Sequence, residues 1–185
     1  MTNGKTESPD LLDWYRLDNT VSANFVVSTD GRYKDEQGSS RGISSAVDLA
    51  HLVHLRRQCD ALITDGTTAR LESYKPSDQR ATYVFTRREV APGLTALMAN
   101  ESEGFVKIFE RLEDAHDRIL LETGPRLLKE FIRLGLVDSV FISVTGEASK
   151  VASGLSYATS LLGFTCSPVK SHQYSDTSLN RFDLN

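Results

Sequence analysis

Residues 43–77 read ISSAVDLAHLVHLRRQCDALITDGTTARLESYKPS, and this stretch decides the fold class. Either Ser44 or Ser45 can cap a helix, and Asp48 in the first turn complements the exposed amides and the helix dipole. The predicted buried face of this helix consists of Leu49, Leu52, Val53 and Leu55. The run ALIT that follows is short and wholly apolar, as in a strand of a parallel sheet that is buried on both faces. The stretch therefore predicts a helix that leads into a buried strand.

Short apolar runs recur along the rest of the chain. We expect strands in VSANFVVS, ATYVFT, GFVKIF, RILLE and SVFISVT. Between the last two runs, GPRLLKEFIRLGLVD predicts a helix with Pro125 in its first turn and Gly135 as its C-cap. Helices that alternate with short apolar strands favour an α/β sandwich with a mostly parallel sheet. The ligand crevice of such a fold lies at the carboxyl ends of the strands.

The composition favours one domain and disfavours several classes of function. A chain of 185 residues can bury one sizeable core, and we expect residues 1–12 to form a flexible tail before a single domain over residues 13–185. The formal net charge of -4 provides no basic field to hold nucleic acid. The two cysteines lack the spacing of a zinc site or disulfide framework, and no apolar run is long enough to cross a membrane. We therefore expect a cytoplasmic protein that has no metal site and binds neither nucleic acid nor a membrane.

Polar clusters follow three of the predicted strands, and they read STDG, DGTTARLE and ETGP. Each has an ordinary explanation, because STDG is a common turn, GTT can cap a helix, and a lone glycine turn is weak evidence for phosphate binding. However, a glycine between a buried strand and a helix lets an anion approach unpaired amides, and Arg126 adds positive charge. Because the carboxyl ends of parallel strands meet at one edge, we expect all three clusters to face one crevice.

The order and spacing of these clusters resemble the pyrimidine reductase family of riboflavin biosynthesis. The resemblance covers roughly Val21 to Thr145, and its strongest elements are LRRQCDALITDGTTARLESYKP and ETGPRLLKEFIRLGLVD. Members of that family share the dihydrofolate reductase-like fold, so the resemblance implies a three-layer sandwich with a central, mostly parallel mixed sheet. They reduce the ribose of 5-amino-6-(5-phosphoribosylamino)uracil to a ribityl chain with NADPH, and they are commonly homodimers. The resemblance thus implies an NADPH-dependent oxidoreductase acting on a phosphorylated pyrimidine.

The same resemblance implies a set of site residues. Asp30 is the candidate catalytic residue, since a proton must reach the nascent oxygen or nitrogen during hydride transfer. The implied substrate contacts are Ser40, Arg56 and Glu122, and the guanidinium of Arg56 offers a planar fork suited to a phosphate. The implied cofactor contacts are Val27, Gly42, Ser44, Gly66, Thr68, Glu72, Gly124, Pro125, Arg126 and Leu127.

Some features depart from the family pattern. Thr123 stands where the family has the first glycine of a Gly-Gly pair, and a β-branched residue there could crowd the cofactor diphosphate. The zinc deaminase motif of many fused relatives is absent from the sequence. Two alternatives therefore stay open: a family member that binds a nucleotide or partner protein without turnover, and a reductase of a related pterin or folate substrate.

Three further residues have two possible interpretations. His51 and His54 lie three residues apart on one helix and could meet one metal, but without an evident third ligand we expect surface or half-buried histidines. Tyr74 either covers a pocket or packs a loop, and we favour the second interpretation.

Overall fold

The computed structural model describes residues 16–18, 20–99 and 101–184, so the predicted tail over residues 1–12 lies outside the described residues. The strands are β1 (Val21–Ser28), β2 (Ala61–Asp65), β3 (Ala81–Phe85), β4 (Thr95–Leu97), β5 (Ile119–Glu122), β6 (Ser139–Thr145), β7 (Lys170–Gln173) and β8 (Thr177–Asp183). The helices are α1 (Ala46–Gln58), α2 (Gly66–Leu71), α3 (Ser102–Ala115), α4 (Pro125–Arg133) and α5 (Val151–Leu162).

All of these strands form one sheet, in the order β4-β3-β2-β5-β1-β6-β8-β7. The strands from β4 to β6 in this order pair in parallel, whereas β8 pairs antiparallel with both β6 and β7. The predicted α/β class and the mostly parallel mixed sheet are therefore confirmed. Three carboxyl ends that matter for the site lie on neighbouring strands, because β5 pairs with both β2 and β1.

Each face of the sheet carries its own apolar core. On one face, α3, α4 and α5 bury side chains such as Phe109, Phe131 and Ala158 against the sheet. On the other face, Leu55 of α1 packs with Leu62 of β2 in a smaller core. A fully buried leucine such as Leu55 contributes about 1.5–3 kcal/mol. Helices on both faces give the three layers predicted from the resemblance.

The orientation of α1 differs from the prediction. Its start is confirmed, because the hydroxyl of Ser45 accepts a hydrogen bond from the amide of Asp48 at 3.1 Å. The predicted buried face is wrong for Leu49 and Val53, which are 47% and 45% exposed, whereas Asp48 and His51 are buried. The apolar pattern was ambiguous because leucine and valine occupy more than one side of the helix, and the sheet selects the side that carries Leu55.

The prediction that His51 is at the surface or half-buried is also wrong. Its ring packs edge-on against Phe141 of β6, with 5.7 Å between the ring centres. Burial, with a smaller contribution from the charge of His54, lowers the pKa of His51 to about 3. His51 is therefore a neutral core residue at physiological pH.

The run GFVKIF is part of helix α3, so the prediction of a strand there is wrong. Phe105, Phe109 and Leu112 recur with helical spacing and face the core. Phe105 and Phe109 both contact the ring of Phe85 in β3. A window of six apolar and mixed residues is too short to separate a strand from the middle of an amphipathic helix.

Candidate active site

A cleft of about 1550 Å³ opens beside the carboxyl ends of β2 and β5, where α1, α2 and the start of α4 meet. Its walls combine apolar side chains, such as Phe25 and Leu52, with charged side chains of both signs. Typical pockets for one drug-sized ligand measure about 300–1,000 Å³. The cleft is therefore larger than a typical pocket for one ligand, and it lies at the edge of the sheet where this class of fold binds its ligands.

Arg56, Glu122 and Tyr74 form a hydrogen-bonded network in the wall of this cleft. Arg56 projects from the last turn of α1 and donates from Nε to Glu122 Oε1 at 2.7 Å, and from Nη2 to Oε2. The hydroxyl of Tyr74 donates to Glu122 Oε2 and accepts from Arg56 Nη2 at 3.0 Å. The network joins the end of α1, the end of β5 and the segment after α2, so Tyr74 is a wall residue of the cleft.

Burial and charge shift the pKa values of this network. Desolvation opposes the charge of Arg56, but the hydrogen bonds and the negative charge of Glu122 outweigh it and raise the pKa of Arg56. Burial, together with the nearby carboxylate, raises the pKa of Tyr74 well above its usual value. The site therefore presents a permanent guanidinium held by a carboxylate, and a neutral phenol that serves as a hydrogen-bond donor.

Asp65 ties the start of α2 to the turn before α4. Its carboxylate caps α2 by accepting from the amides of Thr67 and Thr68 at 2.8 and 2.9 Å, and from the Thr68 hydroxyl at 2.8 Å. The same carboxylate accepts from the amide of Gly124 at 2.7 Å. A negative charge thus occupies the glycine turn that was predicted to receive an anionic cofactor.

Glu72 holds the loop before α1 against the end of α2. It accepts hydrogen bonds from the hydroxyls of Ser39 and Ser40, at 2.7 and 3.2 Å, and from Arg41 Nε at 2.8 Å. Although partial burial opposes it, these bonds lower the pKa of Glu72. Glu72 therefore fixes the position of the loop that borders the cleft.

Ten of the fourteen predicted site residues line the cleft. They are Ser40, Ser44, Arg56, Thr68, Glu72, Glu122, Gly124, Pro125, Arg126 and Leu127. The remaining four lie outside the lining among the described residues: Val27 is in the core, Gly42 is in the loop bound by Asp35, Gly66 packs on Thr86, and Asp30 is at the surface. The structure thus brings together the predicted substrate contacts and most of the predicted cofactor contacts, while their roles stay predictions.

Asp30 lies in a turn on the other side of the sheet edge. A Cβ added at the neighbouring Gly31 would lie 3.3 Å from the ring of Tyr157 in α5, so the turn packs toward the layer opposite α1. The hydroxyl of Ser28, with the charge of Arg32 at 2.9 Å, lowers the pKa of Asp30. The expectation that all three polar clusters face one crevice is therefore wrong for STDG, and an exposed carboxylate of this kind is a poor proton donor.

The cleft also contains polar residues that the sequence patterns did not single out. Asn24, Asp48 and Thr123 all line it, and each has a buried side-chain oxygen without a hydrogen-bond partner among the described residues. Asn24 was hidden in an apolar strand, and Asp48 was interpreted only as a first-turn acid. The one available signal was the spacing of Asp48 and Leu55, which places both residues on the buried side of α1.

Two features are not found among the described residues. Across residues 16–18, 20–99 and 101–184, no cluster of three or more histidine, cysteine or acidic side chains is arranged to hold a metal ion. In the same residues, no helix combines the length and apolar character that crossing a membrane requires.

Comparison with known proteins identifies relatives in sequence and structure. A family model described as the RibD C-terminal domain matches residues 19–146. A pyrimidine reductase-like protein from Corynebacterium diphtheriae has a TM-score of 0.67 and 16% identity, covering 90% of this chain and 92% of that chain. Dihydrofolate reductase from Enterococcus faecalis, complexed with NADP(H), has a TM-score of 0.61 and 12% identity, covering 89% and 95%. No curated protein matches the chain.

A longer bifunctional protein is also similar to this chain. It is a diaminohydroxyphosphoribosylaminopyrimidine deaminase/5-amino-6-(5-phosphoribosylamino)uracil reductase from Thermotoga maritima, with a TM-score of 0.62 and 15% identity. The alignment covers 89% of this chain and 56% of that one. At these identities the likeness concerns the fold alone, and it confirms the predicted dihydrofolate reductase-like fold.

Proposed function

The chain belongs to the RibD C-terminal domain family, and on this premise we propose that it is an NADPH-dependent reductase of a phosphorylated aminopyrimidine. The proposed substrate is 5-amino-6-(5-phosphoribosylamino)uracil, whose ribose would be reduced to a ribityl chain. The observation that carries the proposal is the single cleft that holds Arg56 and Glu122 together with the turn before α4. Its volume of about 1550 Å³ suits a dinucleotide and a small substrate in contact.

The residues at the turn before α4 fit a nicotinamide dinucleotide in part. Thr123 has a buried hydroxyl oxygen without a partner in the described structure, and a phosphate oxygen would satisfy it. Arg126 lines the cleft at the start of α4, where the helix dipole also favours an anion. The carboxylate of Asp65 at the Gly124 amide opposes a diphosphate, so the cofactor would have to displace or avoid it.

NADPH, when bound, supplies the hydride for this chemistry. The protein would hold the opened sugar beside it and exclude water, which is mainly a matter of alignment. Arg56 and Glu122 would bind the phosphate and hydroxyl groups of the substrate, which would compete with their mutual hydrogen bonds. The neutral hydroxyl of Tyr74 would orient Glu122 in the same wall.

Titration with NADPH and NADH, followed by turnover assays, tests this proposal. We expect NADPH binding detectable by fluorescence and cofactor oxidation that depends on the phosphorylated aminopyrimidine. A folate or pterin offered in parallel distinguishes the related reductase. If neither nucleotide binds at about millimolar concentration, which corresponds to a binding free energy of about -4 kcal/mol, the reductase proposal is wrong.

One observation favours the alternative of a binding protein without turnover, because Asp65 places a carboxylate at the turn where the diphosphate would approach. That alternative predicts ligand binding in the cleft without any cofactor oxidation. We also propose a homodimer, as the resemblance implies, and a cytoplasmic location, as the composition of the sequence favours. Sedimentation equilibrium of the purified chain tests the dimer, and a monomer at about 10 μM would contradict an obligate dimer with an affinity of about -8 kcal/mol or better.

A further inference from the structure

Residues 35–42, which read DEQGSSRG, form a compact loop that folds around one carboxylate, and we call this loop the flap. Asp35 Oδ1 accepts hydrogen bonds from the amides of Gln37 and Ser39, each at 2.9 Å, and Oδ2 accepts from the amide of Gly42 at 3.2 Å. A Cβ added at Gly42 would lie 2.5 Å from Asp35 Oδ2, so the close approach needs a glycine. Because these bonds are internal, the flap keeps its shape without help from neighbouring elements.

The flap contributes nothing to either apolar core. It has no apolar side chain, and each of its residues is exposed or half-buried. The chain is anchored to the sheet on both sides of it, because the amide of Arg32 donates to the Ser28 hydroxyl at 3.0 Å and the Thr145 hydroxyl donates to the carbonyl of Ile43 at 2.7 Å. A segment with few apolar contacts and exposed hydrogen bonds opens at a low free-energy cost. Polar contacts must therefore hold the flap in place between its two anchored ends.

Glu72 at the end of α2 provides such contacts. Its Oε1 accepts from the hydroxyl of Ser39 at 2.7 Å, and from the amide and hydroxyl of Ser40 at 3.1 and 3.2 Å. Its Oε2 accepts from Arg41 Nε at 2.8 Å, and Arg41 Nη2 also donates to the Glu72 carbonyl at 3.0 Å. The Glu72 side chain is 15% exposed, so these charge-assisted bonds are partly shielded from water. One side chain thus links three consecutive flap residues to α2.

The flap forms part of the cleft wall, because Gly38, Ser40 and Arg41 line the cleft. We propose that Glu72 is a positioning residue, a latch whose carboxylate holds the flap as one unit against the cleft, and that release of this latch lets the flap move away between its anchored ends. Glu72 then acts through the flap, whereas the family resemblance implies a direct cofactor contact. A ligand held against the flap would leave at a rate set by the latch. That last step rests on the proposed function, whereas the latch itself requires no ligand.

Hydrogen exchange of the flap amides, followed by NMR on the full chain without ligand, tests the latch. In Glu72→Ala, the amide of Ser40 loses its acceptor and should exchange about tenfold or more faster, as for the loss of one hydrogen bond to a charged group. The amides of Gln37 and Ser39 should keep their wild-type rates, because Asp35 still holds them. An unchanged Ser40 rate, or equal acceleration of all three amides, would overturn the proposal.

Two further variants complete this experiment. Glu147→Ala makes the same substitution at an exposed acid that pairs with Lys150, and it should leave the exchange of the Ser40 amide unchanged. Ser39→Ala covers the case in which Glu72→Ala does not fold. It removes one donor to Glu72 and should speed the exchange of the Ser40 amide about threefold or more. A wild-type Ser40 rate in Ser39→Ala would count against the latch.

Stopped-flow binding of NADPH separates the latch from a direct contact. If Glu72 acts through the flap, the dissociation rate of NADPH should rise in both Glu72→Ala and Ser39→Ala, and it should rise more in the variant whose Ser40 amide exchanges faster. Weaker NADPH binding in Glu72→Ala with an unchanged Ser40 rate would assign Glu72 to a direct cofactor contact and overturn the proposal. A chain that shows the expected exchange pattern but binds no nicotinamide nucleotide retains the latch and is not a reductase, so the two failures are distinguishable.

Discussion

Replacing Glu122 by glutamine should destabilise the protein through the guanidinium of Arg56. The side chain of Glu122 is 7% exposed and that of Arg56 is 28% exposed, so their ion pair is largely shielded from water. Removing one partner of a buried pair costs about 3–5 kcal/mol. Glutamine keeps one acceptor for Arg56 and the guanidinium retains some solvent contact, so we expect about 2–3 kcal/mol.

This loss corresponds to a measurable fall in the melting temperature. For a domain of 150–250 residues, about 1 kcal/mol lowers it by about 2–4 °C, so Glu122→Gln should melt about 4–12 °C below the wild type. Thermal unfolding followed by circular dichroism measures this shift. The control is Glu103→Gln, which removes the charge from the exposed Lys107–Glu103 pair of α3 and should leave the melting temperature unchanged.

A double-mutant cycle shows whether the effect belongs to the pair. Arg56→Gln combined with Glu122→Gln should lose less stability than the sum of the single changes, with a coupling of about 1–3 kcal/mol. If Glu122→Gln melts at the wild-type temperature, or if the two changes are additive, the network is not formed in the folded protein and the described wall of the cleft is wrong.

Three further predictions concern the rest of the cleft. Asp48→Asn should raise the melting temperature more at about pH 7 than at about pH 4. Burial raises the pKa of Asp48, so the stability of the wild type falls as the pH rises above the unfolded-state pKa of 3.8, and asparagine removes this loss. Circular dichroism melts measure the shift, and a larger gain at the lower pH would contradict the argument. Gly66→Ala should lower the free energy of unfolding in urea by about 1–3 kcal/mol, because the new Cβ would lie 2.7 Å from Thr86 Oγ1. The new Cβ of Gly124→Ala would lie 3.4 Å from Asp65 Oδ2, so this variant should fold normally and weaken NADPH binding. Equal stability of the two variants would refute the packing argument. Asp65→Ser keeps a good helix cap but removes a charge beside the Gly124 amide, so it should tighten NADPH binding; unchanged affinity in a fluorescence titration would show that the diphosphate does not approach this turn.

Local signals in the sequence predicted the elements that frame the cleft. The cap at Ser45 and the apolar run after α1 are short-range features, and both were interpreted correctly. By contrast, β7 (Lys170–Gln173) is exposed along its whole length and carries no apolar alternation. It is a strand because β8 pairs with it, and pairing at the edge of a sheet leaves no such pattern in the sequence.

Most of the residues that line the site were predictable from the sequence, whereas the hydrogen bonds between them were not. Strand-end reasoning placed the cluster that contains Glu122 at the crevice, whereas Arg56 was expected there because the family resemblance implies it. That these two residues bind each other depends on a contact across 66 residues of chain, which no local pattern encodes. The failure at Asp30 has the same origin, because the side toward which a turn folds is decided by α5 packing against it.

The polar groups of the cleft fall into two classes that a ligand would meet differently. Arg56, Glu122 and Asp65 already have partners within the protein, so a ligand must exchange one set of hydrogen bonds for another and gains little net free energy. Asp48 and Asn24 have unsatisfied oxygens in the described structure, so a ligand with matching donors removes an existing penalty there. A loss of activity in Arg56→Ala would therefore have two causes, a lost phosphate contact and an unpaired Glu122. The Michaelis constant of this variant must therefore be compared with its melting temperature, which reports the second cause. Discrimination between ligands should accordingly depend on the two unsatisfied oxygens of Asp48 and Asn24 more than on the charged residues that carry the family resemblance.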